Sequence, residues 1–176
     1  SSMITIQQFP LGPLQTNCYF LGCTKTMQAA VIDPAWDGAA VAKHIADAGY
    51  TVTHILLTHS HFDHIGGLAE LSTVLPDVPI YAHEDMLPML RLGPESAARF
   101  GLTMEPAPEP TNMMVEGDEI TVGELKLEVL FTPGHAPGHV SFYLPEHTVI
   151  FDGDVLFQGS IGRTDLPGGD FTMLMD

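Results

Sequence analysis

The sequence predicts an α/β fold: two strand-rich halves, each supplying one sheet of a sandwich, with helices on the outside. Three observations lead there. Short runs of β-branched and aliphatic residues alternate with stretches whose apolar residues recur at helical spacing. The segment from Met104 to Thr111, with Pro106, Pro108 and Pro110, interrupts that pattern and reads as a linker between a first half of about residues 1–104 and a second of about 112–176. Finally, 176 residues, 45% of them hydrophobic, suffice for one domain with a proper core.

Taken in order, residues 3–9, 17–22 and 29–33 read as strands. Residues 39–48 place Val41, Ala42 and Ile45 at helical spacing, with Gly49 just after, and so predict a helix with a glycine stop. Residues 52–57 are short, apolar and partly β-branched, as expected of a buried strand. A helix is expected from about Asp63 to Leu71, then a short strand at 80–82. Residues 84–92 predict a helix in which Pro88 forces a kink or a break. In the second half, residues 119–121, 125–131, 140–144 and 148–151 read as strands.

The strand at 52–57 runs into Thr58-His59-Ser60-His61-Phe62-Asp63-His64-Ile65-Gly66-Gly67. Three histidines and an aspartate in this order are hard to explain by packing. On extended backbone His59 and His61 point the same way, because side chains alternate with period two. Asp63 and His64 then sit where the chain turns into a helix and can aim elsewhere. The histidine pair can serve one metal, and Asp63 with His64 a second. Two later segments fit the same centre. In Phe131-Thr132-Pro133-Gly134-His135-Ala136-Pro137-Gly138-His139, a strand ends in a Gly/Pro turn; His135 is the expected third protein ligand of the first metal, and His139 supports the turn or a ligand. In Asp152-Gly153-Asp154, after another strand, a carboxylate could bridge two cations. Asp154 is preferred to Asp152 because it follows the glycine where the strand gives way to a loop. Alone, this tripeptide reads as an ordinary turn. Imidazole and carboxylate donors suit zinc, with iron or manganese as alternatives, in one or two ions.

These three motifs, in this order, resemble the metallo-β-lactamase superfamily, and within it the small glyoxalase II-like hydrolases related to hydroxyacylglutathione hydrolase. The likeness extends to Leu11-Gly12-Pro13-Leu14-Gln15-Thr16-Asn17-Cys18-Tyr19, to Val31-Ile32-Asp33-Pro34 and to Gly162-Arg163-Thr164-Asp165. After Pro34 the family usually has glycine, where this chain has Ala35. The resemblance implies an αββα two-sheet sandwich. It places His59, His61 and His135 on metal one, Asp63 and His64 on metal two, and Asp154 between them. It implies hydrolysis of a thioester or ester through a metal-bound hydroxide in a dinuclear site, with Asp63 the candidate catalytic residue that orients the hydroxide. The family also carries a further metal-two histidine in a late P-G-H segment, and no histidine follows His147 here. The expectation is therefore a C-terminally truncated sequence, lacking the final helix and strand elements, with metal one full and metal two partial. Full glyoxalase II proteins hold glutathione with a basic C-terminal domain. In this chain Arg163 is the only basic residue close in sequence to a metal-site segment, and is the candidate substrate contact.

Two other functions use the same residues: a mononuclear iron dioxygenase acting on persulfides, and a metal-binding module without catalysis. A flavodiiron-type site is disfavoured because His61 stands where those members carry glutamate. A zinc β-lactamase is disfavoured because no export signal is expected at the start.

Composition narrows the partners to a small-molecule substrate. Six basic residues oppose 22 acidic ones, for a formal charge of −16. That excludes the basic footprint of a nucleic-acid binder and disfavours anionic membranes. No apolar run approaches the ~20 residues that span a bilayer. The cytoplasm is the expected compartment, and Cys18 and Cys23 are expected to be buried free thiols. Oligomeric state leaves no mark in the sequence. His54 reads as a structural strand residue, His44 and His147 as solvated, and His83 as a helix-starting residue.

Overall fold

A computed structural model describes residues 3–159. The expectations for Arg163, for residues 162–165 and for residues 171–176 lie outside this range. The described strands form two sheets. The first has the order β1 (Ile4–Leu11), β2 (Thr16–Cys23), β3 (Gln28–Ile32), β4 (Thr51–Leu56), β5 (Ile80–Ala82), β6 (Asn112–Met113). The second comprises β7 (Glu119–Val122), β8 (Leu125–Phe131), β9 (Val140–Leu144), β10 (Val149–Asp152) and β11 (Val155–Gln158), in reverse spatial order and antiparallel throughout. One buried apolar cluster includes residues of both sheets.

The first sheet begins as an antiparallel meander, β1–β2–β3, and becomes parallel from β3 to β6. Parallel neighbours need long crossovers, and helices provide them. α1 (Gly38–Asp47) joins β3 to β4; α2 (Phe62–Ile65) and α3 (Leu68–Val74) join β4 to β5; α4 (Leu87–Arg91) and α5 (Gly93–Ala98) lie between β5 and β6. Helices over one face and a sheet over the other bury Ala29–Ile32 without alternation. In β8, by contrast, Leu125, Leu127 and Val129 point inward while Lys126 and Glu128 face out. That period of two belongs to a sheet with one covered face, and among the described residues no α-helix connects strands of the second sheet.

Several boundaries depart from the sequence expectation. The helix expected over 63–71 is two helices, broken at Gly66-Gly67. A Cβ at Gly66 would lie 2.1 Å from the Trp36 ring, and Gly67 N–H donates to the Pro34 carbonyl, so the chain after β3 presses into the break. Pro88 stands in the first turn of α4, after a 3₁₀ turn at Glu84–Met86, where its missing N–H costs nothing. Helix α5 escaped sequence reading because Gly93-Pro94 resembles a turn signal; Pro94 instead starts the helix. β6 is only two residues long, follows the proline-rich stretch and still joins the first sheet, so the change of sheet falls after Met113. β11 also went unread: it pairs with β10 from Asp152↔Val155, making Gly153-Asp154 the turn of a hairpin. Cys18 and Cys23 are buried and unpaired. No helix among the described residues is long and apolar enough to cross a membrane.

Candidate metal centre

The site lies where the end of β4 meets the ends of β8 and β10. Past Leu56 the chain stays tied to its surroundings. Leu57 N–H donates to Tyr81 O (3.1 Å), Thr58 O accepts from Val140 N–H (2.8 Å), and Ser60 Oγ donates to Met86 O (2.8 Å). These bonds hold the histidine loop to both sheets. His61 caps the start of α2 in an extended conformation, and the helix then carries Asp63 and His64. The turn after β8 brings His135 up from the second sheet. His59, His61 and His135 each offer one ligand atom, and these atoms lie within 4.8 Å of one another. Their rings stand nearly perpendicular, with centroids 4.8–4.9 Å apart. His59 is buried, and its Nε2 has no hydrogen-bond partner while its Nδ1 meets Thr58 Oγ1 at 3.0 Å. An orphaned buried nitrogen facing two other imidazoles is what a metal would satisfy.

A second group adjoins the first. His64 is buried between two carboxylates: its Nδ1 lies 3.0 Å from Asp33 Oδ2 and its Nε2 3.0 Å from Asp154 Oδ1. Asp63 Oδ2 is 3.8 Å from the same Nε2 and accepts a hydrogen bond from Thr16 Oγ1 (2.8 Å). His64 and Asp154, the carboxylate preferred from the sequence to Asp152, thus meet directly. Asp152 turns the other way, accepting from Ser141 Oγ (2.6 Å) with His139 Nε2 at 3.4 Å. Gly153, at φ 66°, permits this split; a Cβ there would stand 3.2 Å from His59 Cε1.

Asp33 is the residue that sequence reasoning left without a role. It is fully buried and accepts from Thr58 N–H (2.8 Å), Thr58 Oγ (2.5 Å) and His64 Nδ1. It could also form a triad with His59 and His64. Its oxygens are already engaged by three donors, so it serves His64 from behind, orienting the ring and leaving Nε2 for the centre. The signals were its place just after β3 and its presence in Val31-Ile32-Asp33-Pro34, neither of which assigns a role. The role of β2, read only as a strand, was missed similarly: Asn17 Nδ2 and Tyr19 OH both donate to the Asp154 backbone carbonyl (2.9 and 3.3 Å), while Thr16 holds the Asp63 carboxylate.

Electrostatics divide the histidines. Burial, then the neighbouring His64, His139, His61 and His135, drives His59 far below the ordinary imidazole value; burial also lowers His61, with His135 adding to it. Both favour the neutral, ligating form. Burial works against charge on His64 too, but the hydrogen bonds to Asp154 and Asp33 outweigh it and push the ring up to about 10. His139 is buried behind the centre, its ring 4.9 Å from that of His59, and burial lowers it as well.

The remaining histidines are elsewhere. His54 stacks on Tyr81 and meets Thr53 Oγ1 at 2.7 Å, His44 meets Gln7 Oε1 at 2.9 Å, and His83 Nδ1 accepts from Asp85 N–H to start its 3₁₀ turn. A half-open cavity of about 420 Å³ opens beside His61 and Asp63.

Known proteins resemble this chain in sequence and in fold. Residues 11–176 match the sequence model of a family described as the metallo-beta-lactamase superfamily. The chain is 36% identical to the hydroxyacylglutathione hydrolase GloC of Haemophilus influenzae over 174 residues, 98% of this chain and 81% of that protein. It is similar to the crystal structure of TTHA1623 in a di-iron-bound form, at a TM-score of 0.76 and 40% identity, covering 92% of this chain and 78% of that one. It is also similar to the BLEG-1 B3 metallo-beta-lactamase, at a TM-score of 0.77 and 39% identity, covering 97% and 81%.

Proposed function

Since the chain belongs to the metallo-beta-lactamase superfamily and carries a metal-binding cluster of histidines and aspartates, we propose that it is a thioester hydrolase with two adjacent metal sites. In this reading His59, His61 and His135 hold one ion, Asp63 and His64 hold the other, and Asp154 lies between them. The observation that carries it is the abutment of the two groups: the histidine triad lies within 4.8 Å, and His64, whose ring centroid is 4.0 Å from that of His59, meets Asp154 at 3.0 Å.

When bound, the metal supplies Lewis acidity and brings the pKa of coordinated water toward neutrality, so that water can attack a carbonyl without a serine or cysteine nucleophile. The chain's own part is positional. Thr16 holds Asp63 with one oxygen bonded, leaving the carboxylate edge to orient the attacking water. Asp33 fixes the His64 ring, and β2 holds the Asp154 backbone. The thioester is favoured over other acyl substrates by the likeness to GloC, which spans 98% of this chain. Zinc, iron and manganese all suit the donor set, and iron is supported by the likeness to the di-iron protein. The likeness to BLEG-1 supplies the reading to be tested against it.

The test is to load metal-free protein with each ion and assay S-acyl thioesters, the β-lactam nitrocefin, and persulfide with oxygen uptake. The reading expects thioester turnover that appears with metal and disappears with chelator. Turnover of nitrocefin alone, or oxygen uptake with persulfide alone, would replace it with the corresponding activity.

A further inference from the structure

The cavity beside the site has a charge that the metal centre does not use. Arg99, at the end of α5, lines it together with His61 and Asp63. Leu14 from the β1–β2 turn, Phe62, Met89 and Phe100 make its walls. Leu14 and Phe100 are 47% and 64% exposed, and the Phe62 and Phe100 rings meet at a tilt of 41° with centroids 5.1 Å apart. Large apolar groups left exposed around one concavity are characteristic of a ligand site.

Among the described residues Arg99 and Lys126 are the cations that form no ion pair, and of these Arg99 is the one on the cavity. Lys25, Lys43 and Arg91 are each paired with a carboxylate, Glu124, Asp47 and Glu109. Among the described residues Arg99 has no carboxylate within 4.0 Å. In a chain with formal charge −16, an anionic substrate meets a repulsive surface outside the ion-binding centre itself. A free guanidinium on the cavity wall offsets it locally, with the fork geometry that suits a carboxylate.

We propose that Arg99 is a specificity-determining residue, and that the substrate is a thioester bearing an apolar arm that ends in a carboxylate. The arm lies along Phe62, Phe100, Leu14 and Met89; the carboxylate meets Arg99; the thioester carbonyl faces His61 and Asp63. This rests on the hydrolase reading above. It adds to Arg163, expected from sequence proximity, a substrate cation brought in by the β5–β6 crossover. The competing account of Arg99 is a cation favoured by the C-terminal end of α5.

Two compound pairs distinguish these accounts in metal-loaded protein. The first is the S-acetonyl thioethers of 4-mercaptophenylacetate and of its amide, which cannot be hydrolysed and are read by calorimetry. The second is the matching S-acetyl thioesters, read by kinetics. The wild type should bind the carboxylate thioether about three- to fivefold more tightly than the amide, the gain that a pair at an exposed guanidinium allows, and salt should shrink the ratio. Arg99→Gln should bring the ratio close to one, and Arg99→Lys should restore part of it. For the thioesters the same ratio should fall in KM rather than kcat. A wild-type ratio near one overturns the proposal, as does a ratio that survives in Arg99→Gln. A lower melting temperature in Arg99→Gln with the ratio intact would assign Arg99 to helix support. If neither thioester is hydrolysed, the hydrolase reading fails by itself, and the thioether ratio still decides whether Arg99 reads the carboxylate.

Discussion

At the scale of single residues, the site depends on nitrogen atoms placed without partners and on carboxylates placed behind them. His59→Ala removes a buried ligand and His135→Ala an exposed one. Each should abolish stoichiometric metal in the triad, and elemental analysis that still finds the wild-type metal content in both variants would refute the assignment. Asp33 works differently. Asp33→Ala leaves Thr58 N–H, Thr58 Oγ and a charged His64 without an acceptor in a fully buried place. Breaking such a pair costs about 3–5 kcal/mol, visible in urea unfolding. Asp33→Asn keeps the shape and should instead weaken metal binding by roughly 10- to 100-fold; a metal titration equal to wild type would contradict this. His64 adds a pH effect. Its value is raised from 6.5 to about 10 in the metal-free fold. The stability it lends is therefore fully present below 6.5 and is lost as pH rises through about 10. At pH 7 the ring is charged, and to ligate it must lose the Nε2 proton while Asp33 keeps the one on Nδ1. Metal uptake at pH 7 should thus release about one proton from His64, measured by calorimetry in buffers of different ionisation enthalpy. Uptake independent of buffer would show that His64 is neutral beforehand.

At the scale of elements, the break between α2 and α3 sets the position of the ligand loop. The loop after β3 enters this break, with Trp36 against Gly66 and the Pro34 carbonyl bonded to Gly67 N–H. Gly66→Ala would put a methyl group 2.1 Å from the Trp36 ring and 2.6 Å from the Ala35 carbonyl. Overpacking of this kind costs about 1–3 kcal/mol. The expected result is a lower melting temperature with shifted Trp36 fluorescence, and weaker metal binding because α2 carries Asp63 and His64. A variant with unchanged melting and fluorescence would show that the loop yields freely. The second sheet contributes through one turn and one hairpin, carrying His135 and Asp154. Val140 N–H bonded to Thr58 O is the direct link by which β9 holds the ligand loop.

At the scale of the whole molecule, charge decides what approaches. With six basic residues against 22 acidic, no measurable DNA or RNA affinity is expected at physiological salt. A salt-sensitive shift at submicromolar protein in a gel assay would prove otherwise. The same field selects among small molecules, because it makes an unpaired guanidinium such as Arg99 the local exception.

What the sequence by itself determined was local in kind. The alternation in 125–130 announced β8, short strand-like runs announced β7, β9 and β10, the apolar run and its flanking histidines announced β4 and its loop, and the ligand types announced a metal. These signals lie within a few residues of one another, so pattern and chemistry are read together. The histidine spacing also announced that His59 and His61 share a side, and the glycine in 152–154 marked where the strand ends and Asp154 follows. The tertiary structure decided everything that depends on separate elements meeting. Asp33 lies 31 residues from His64, Thr16 lies 47 from Asp63, and Asn17 lies 137 from Asp154; no periodicity couples positions so far apart. Short β6 and the hairpin strand β11 exist because neighbouring strands supply their hydrogen bonds, and α5 because its Gly-Pro start lies within a crossover. Arg99 became a candidate contact for the same reason: packing places it on the wall of a cavity beside residues that the chain places far away.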